Sequence, residues 1–271
     1  MKTRKHFIIP DTQVRPGEPQ DHFDWIGNAI RKYRPDVVIH LGDHWDFSSL
    51  SSYSKPRELE GLRLSADIDA GNEALERLAR AYGGYKCRKV LLRGNHEDRL
   101  TRFLGDNPKL IGAIGFDRLN DKKLGWQVVE YDGDGPGQIE IDGVVYAHYF
   151  KSPNSKFAIG GTIANRLAKI GSTFVQGHQQ GLMRADVPYA TGIERHGIVA
   201  GSCYLNDEGY RGVANKHFRG VIVLNEVCGG HFLEMPLSMN YLCEKFGGGT
   251  TVKRFLQRKY RNAKQRFSLA A

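Results

Sequence analysis

Carboxylates, amides and imidazoles recur in this chain at one kind of place, just past a short apolar run. Asp11 and Gln13 stand in PDTQ behind HFII, Asp43 in GDHWD behind DVVIHL, and Asn95 and His96 in RGNHED behind KVLL. His148 in YAHYF and His178 in QGHQQ repeat the pattern further on. Carboxylate oxygen, amide oxygen and imidazole nitrogen are ligands for hard and borderline divalent ions such as Mn2+, Fe and Zn2+. A pair of such ions can clamp a phosphoryl oxygen and lower the pKa of a bound water. A histidine, with an ordinary pKa of about 6.5, suits the proton that a leaving group needs. One histidine behind a strand is usually structural; ligand-type residues behind one strand after another point to a single reaction centre.

For these residues to meet, the elements must bring them to one edge. Residues 6–9, 36–41 and 89–92 read as buried strands. Between them, 21–33 reads as a helix with Asp21 as N-cap and Phe23, Ile26, Ile30 and Tyr33 on one stripe, and 56–82 as helical with Leu75, Leu78 and Tyr82 on one face. This alternation predicts a parallel sheet covered by helices, whose ligand site lies beyond the carboxyl ends of the strands. Asp11, Asp43 and Asn95 all fall there. In the second half, 127–131, 139–147, 173–176, 197–200, 219–224 and 231–235 read as strands, with DGDGPG at 132–137 and IDG at 141–143 as hairpin turns. One helix, Ser155 to Lys169, interrupts them. A single domain with two facing sheets is the simplest assembly.

The order D-x-Q, GD, GNHE, H and GH resembles the calcineurin-like metallophosphoesterases over Asp11 to about Gln180, with strands continuing the fold to about 236. The resemblance implies an α/β sandwich of two facing mixed β-sheets flanked by helices, over residues 1–240, with 241–271 as a basic C-terminal helical extension. It implies that Asp43 bridges two divalent ions, that Asn95, His148 and His178 hold the second, and that His96 is the catalytic histidine. The family pattern has DxH and GHxH where this chain has Asp11-Thr12-Gln13 and Gly177-His178-Gln179-Gln180. Both replaced histidines belong to metal one, so Asp11, Gln13 and Gln180 would bind it weakly through oxygen, with Mn2+ favoured and Mg2+, Fe or Zn2+ as alternatives. The same two glutamines are what a non-catalytic scaffold would show.

Other residues bear on the substrate. Arg93, just before Gly94, is expected to reach a phosphate oxygen as a bidentate donor, the alternative being an ion pair with Glu97 or Asp98. His44 reads as a turn histidine, and Trp45 as packed on the helix of 56–82 rather than stacked on a base. The stretch GDHWDFSS lacks the arginine of GDxVDRG in calcineurin-type protein phosphatases, with Phe47 at its place. GSCYLND at 201–207 is expected beside the metals. The net charge of +9 favours polyanionic partners. Residues 252–267 read as a helix docked by one apolar face, with Lys253, Arg254, Arg258, Lys259 and Arg261 as a strip for phosphate backbones. Nucleic acid is therefore the expected partner, with a phosphorylated small molecule or protein as the alternative. The apolar run Phe7-Ile8-Ile9 is too short for a signal peptide, no run could span a bilayer, and Cys87, Cys203, Cys228 and Cys243 have no metal-type spacing. A cytoplasmic protein without a membrane partner is expected.

Overall fold

Strand parity sets the layers. In the computed structural model, which describes residues 2–132, 135–155, 157–207 and 217–260, β1 (Arg4–Ile9), β2 (Val37–His40), β3 (Arg88–Leu92) and β4 (Gln127–Val129) lie parallel in that spatial order. Alternate side chains point to opposite faces. Ile8, Val37, Ile39, Val90 and Leu92 enter the core between the two sheets, whereas Phe7, Ile9, Val38 and Leu91 face the helices. Those helices are α1 (His22–Tyr33), α3 (Leu64–Tyr82) and α4 (Asp98–Asp106), while the short α2 (Pro56–Leu59) buries no residue. The chain breaks between α2 and α3 at Gly61, whose φ of +82° is open to glycine at little cost; the single helix expected over 56–82 is thus two. The stripe read on α1 is correct, but Asp21 makes no capping hydrogen bond with its side chain. Its carboxylate instead accepts from Arg77 and Tyr260 and pairs with Lys259.

The second half follows as β5 (Tyr131–Asp132), β6 (Gly135–Pro136), β7 (Gln138–Ile141), β8 (Val144–Ala147), α5 (Ile163–Ile170), β9 (Phe174–Gln176), β10 (Leu182–Pro188), β11 (Glu194–Ala200), β12 (Gly220–Cys228), β13 (His231–Ser238), α6 (Met239–Phe246) and α7 (Val252–Lys259). Strands β12 and β13 return antiparallel to complete a six-stranded sheet in the order β13-β12-β1-β2-β3-β4, and β10-β11-β9-β8-β7 form the facing five-stranded sheet. Both sheets are mixed. The turn at 141–144 joins β7 to β8 with Asp142 and Gly143 at φ +54° and +83°, as a tight hairpin of right-handed twist requires. Helix α5 starts later than Ser155 because Gly160 and Gly161 precede the cap, where Thr162 Oγ1 accepts from the Asn165 N–H at 3.3 Å. It covers the second sheet through Ile163 and Leu167. Helices α6 and α7 join the core that α1 and α3 share with the first sheet, through Met239, Leu242, Val252 and Leu256. The 252–267 helix is observed over Val252–Lys259, and Arg261 lies outside the described residues. No described helix is long and apolar enough to cross a membrane.

Candidate metal centre

The carboxyl ends of β1, β2 and β3 in one sheet and of β8 and β9 in the other converge. β1 leads to Asp11 and Gln13, β2 to Asp43, β3 to Asn95 and His96, β8 to His148, and β9 to His178. Asn95 Oδ1 lies 2.9 Å from His148 Nε2 and 2.8 Å from His178 Nδ1, and His148 Nε2 lies 3.3 Å from Asp43 Oδ2. The Asp11 carboxylate accepts the His178 N–H at 3.0 Å, and the Gln13 N–H donates to the Asp43 carbonyl at 2.8 Å. Ligand atoms of Asp43, His148 and His178 fall within 4.8 Å of one another. Asp11, Asp43, Asn95, His148 and His178 thus lie together across both sheets.

Close approach demands unusual backbone. Gln13, Asp43 and His178 adopt φ of +40°, +50° and +65°, a left-handed conformation that costs non-glycine residues of order 1–3 kcal/mol and clusters at functional sites. Gly94 and Gly177 supply clearance: a Cβ on Gly94 would lie 2.1 Å from Asp43 Oδ1, and one on Gly177 2.5 Å from Asp11 Oδ1. The loops are tied by Glu97, a fully buried carboxylate. It accepts backbone N–H groups from Asp43 at 3.0 Å, His44 at 2.6 Å, Trp45 at 3.0 Å and Gly94 at 2.8 Å. In sequence, Glu97 entered only as an alternative partner for Arg93, and its role is signalled only by its place three residues after a strand-end glycine.

The residues fit divalent cations. Asp11 Oδ2 and Gln13 Oε1 are buried without a hydrogen-bond partner, an arrangement a native interior tolerates where an ion supplies the partner. Burial, reinforced by the Asp43 charge, pushes Asp11 up to about 7. Burial alone would lower His148, yet the charges of Asp43 and Asp11 raise it to about 9; the pocket's field favours positive charge. His148 Nδ1 donates to the Leu41 carbonyl at 2.9 Å, which fixes the ring and leaves Nε2 as the ligand atom. Burial and the neighbouring His148 hold His178 down at about 4, so its imidazole is neutral, as a ligand must be. Gln180 is buried, and its Oε1 accepts from the Tyr204 hydroxyl at 2.8 Å, which ties it to the 201–207 stretch. That stretch borders the site, with Cys203 N–H donating to the Asp11 carbonyl at 2.7 Å.

His96 is oriented by Asp46, the last residue of GDHWD. Its Nδ1 lies 2.5 Å from Asp46 Oδ1, Asp46 Oδ2 accepts from Arg15 Nε at 2.7 Å, and Arg99 donates to the Asp46 carbonyl at 2.8 Å. The carboxylate accepts, so Nδ1 carries a proton and Nε2 faces the centre, 3.7 Å from Asp43 Oδ2. Burial lowers the His96 pKa, but Asp43 and Asp46 outweigh it and raise the group overall, against the opposing charge of Arg99. Asp46 is held well below the usual carboxylate range: burial opposes this, but His96 and Arg15 prevail.

Arg93 is corrected. Its guanidinium is 1% exposed, donates to Asp121 at 2.6 Å, and stacks over Phe116 and Trp45 at 4.9 and 5.5 Å. It faces the helical layer, not the metal centre, and its partner is neither Glu97 nor Asp98. Parity explains this: Val90 and Leu92 face the other sheet, so Leu91 and Arg93 face away from it. Trp45 is buried against α3, where a Cβ on Gly71 would lie 2.0 Å from its ring, and His44 donates or accepts locally with Thr12 and Gly71. Both are structural, as read from the sequence. On α7, Lys253, Arg254 and Arg258 are exposed, while Lys259 is engaged by Asp21.

Two facing mixed sheets, flanked by helices and carrying a cation-holding cluster and an oriented histidine at their shared edge, define a metal-dependent phosphoesterase. The family model for calcineurin-like phosphoesterases matches residues 6–179, and the chain belongs to that family. No curated protein matches it. Among solved structures, it is similar to a conserved uncharacterized protein and predicted phosphoesterase from Streptococcus pneumoniae, at 10% identity over 87% of this chain and 99% of that one, with a TM-score of 0.29. A superposition that loose adds nothing to what the family match shows.

Proposed function

We propose that this phosphoesterase hydrolyses phosphodiester bonds of nucleic acid, with Mn2+ as its working ion. The observation that carries the reading is the exposed cationic face of α7, Lys253, Arg254 and Arg258, on a chain of net charge +9, since phosphate backbones are bound chiefly by such groups. The burial of Arg93 weakens the rival reading, a phosphomonoesterase that would use this arginine on a terminal phosphate. Asp11, Gln13, Asp43, Asn95, His148 and His178 would hold the ions, with Gln180, whose Oε1 accepts from Tyr204, as the weakest member. When bound, divalent ions polarise a phosphoryl oxygen and make water more acidic. The oxygen-rich, imidazole-poor set at Asp11 and Gln13 suits Mn2+ or Mg2+ better than Zn2+.

The chain's own residues supply the proton. His96, held by Asp46 through Nδ1, presents Nε2 to the centre, where a departing alkoxide needs a proton. Asp43 and Asp46 keep that proton in place, and Arg99, with Nη2 3.2 Å from Nε2, makes its release easier. Glu97 holds Asp43 and Gly94 in register, so that acid and ligands share one fixed frame.

The test uses Mn2+-loaded protein on bis-p-nitrophenyl phosphate, p-nitrophenyl phosphate, and single- and double-stranded DNA. The diester and DNA should be cleaved. Alanine at Lys253, Arg254 and Arg258 together should weaken DNA binding and flatten its salt dependence, by up to about 0.9 in log–log slope per lost phosphate contact. Preference for the monoester with no DNA cleavage would overturn the reading.

A further inference from the structure

At the end of the sandwich away from the metal centre, a second group of ligand-type side chains spans the two sheets. His196 and Glu194 lie two residues apart on β11, and so share a face. Asp186 is paired directly opposite His196 on β10, and His231 opens β13 in the other sheet. Ligand atoms of Glu194, His196 and His231 fall within 4.8 Å of one another. The strand β11 runs from this group to Ala200, and Ser202 then pairs with Asp11. Six residues at about 3.3 Å each separate the two places by roughly 20 Å.

We infer that His196, His231 and Glu194 form a second metal site, for a single divalent transition ion of the zinc type, that joins the two sheets. His196 Nδ1 donates to Asp186 Oδ1 at 2.6 Å, because an ionised carboxylate can only accept. That bond fixes the tautomer and leaves Nε2 without a proton, the arrangement in which a carboxylate orients a metal-binding imidazole. Nε2 faces His231 Nδ1 at 3.3 Å. Two imidazoles bound at about 2.0–2.1 Å to a tetrahedral ion have their nitrogens about 3.3 Å apart, so the pair already has that spacing. Glu194 Oε2 lies 4.0 Å from His196 Nε2, and as an exposed side chain it closes the difference by rotation. Two imidazoles with one carboxylate select Zn2+-type ions over Mg2+ or Ca2+. His196 is almost buried, whereas His231 and Glu194 are exposed, so the ion has a path in and a floor to rest on.

The experiment compares the whole protein with His231→Ala, a substitution at an exposed residue, by calorimetric titration with ZnCl2 and by ring-nitrogen correlation spectra of the histidines. Wild type should bind one Zn2+ more per chain than the variant, or bind it at least about 10-fold more tightly, a loss in the range that altered metal sites show. In wild type, the ring signals of both His196 and His231 should move in that step, and MgCl2 should leave them in place. Bis-p-nitrophenyl phosphate hydrolysis with Mn2+ should be equal in the two proteins, which separates this site from the catalytic one. Equal zinc binding in both proteins, or a His196 ring that does not respond to zinc, overturns the inference.

Discussion

Asp121→Asn tests where the Arg93 side chain acts. Both partners are 1% exposed, and their contact is 2.6 Å. Removing the charge of Asp121 while keeping its shape leaves a guanidinium inside the protein facing a neutral amide. Breaking a buried pair by removing one charge costs about 3–5 kcal/mol. The rings of Phe116 and Trp45 still cover the cation, and Glu130 stands 3.4 Å from its Nε at the rim, so the lower half of that range is expected. At about 2–4 °C of Tm per kcal/mol for a chain of this order of size, the melting temperature should fall by about 6–16 °C. The assay pairs a thermal melt by circular dichroism with steady-state kinetics on bis-p-nitrophenyl phosphate at 25 °C, where the variant is still folded. KM should be unchanged. A Tm within about 2 °C of wild type, together with a raised KM, would show that Arg93 grips substrate and that the burial argument is wrong.

Asp46→Asn should lower kcat about 10- to 100-fold, the worth of one charge-assisted hydrogen bond to a catalytic group, with metal content by mass spectrometry unchanged. Gly94→Ala should cut activity about 100-fold and reduce metal content, since its Cβ would displace the Asp43 carboxylate and misplacement of about 1 Å costs that much. Acid should destabilise the fold through His22, which burial holds down at about 3. The unfolded chain takes up this proton near pH 6.5 and the folded chain does not, so stability should fall by about 1.4 kcal/mol per pH unit below pH 6.5 and level off near pH 3. Denaturant midpoints for wild type and His22→Gln across that range check it; parallel curves would count against the assignment.

Periodicity made the scaffold legible. The runs at 6–9, 36–41 and 89–92 became β1 to β3 because fully buried parallel strands are continuously apolar. Helix α4 and strand β10 were not legible: α4 is short and fully buries only Leu100, and β10 is an edge strand whose Arg184 and Asp186 dilute the apolar signal. The cluster of candidate ligands was visible because each member sits at a strand end. The Asp46–His96 pair was not, because it joins two loops fifty residues apart and nothing local marks it. Arg93 was misplaced by reasoning from its neighbours in sequence; continuing the alternation of Val90, Leu91 and Leu92 by one more residue would have turned it toward the helices.

The cradle at the strand ends draws Asp11, Asp43 and Asn95 from one sheet and His148 and His178 from the other. If these residues hold the ions, neither half alone could, and the site would exist only where both sheets are in place. A fragment cut between the halves would then own no working blade.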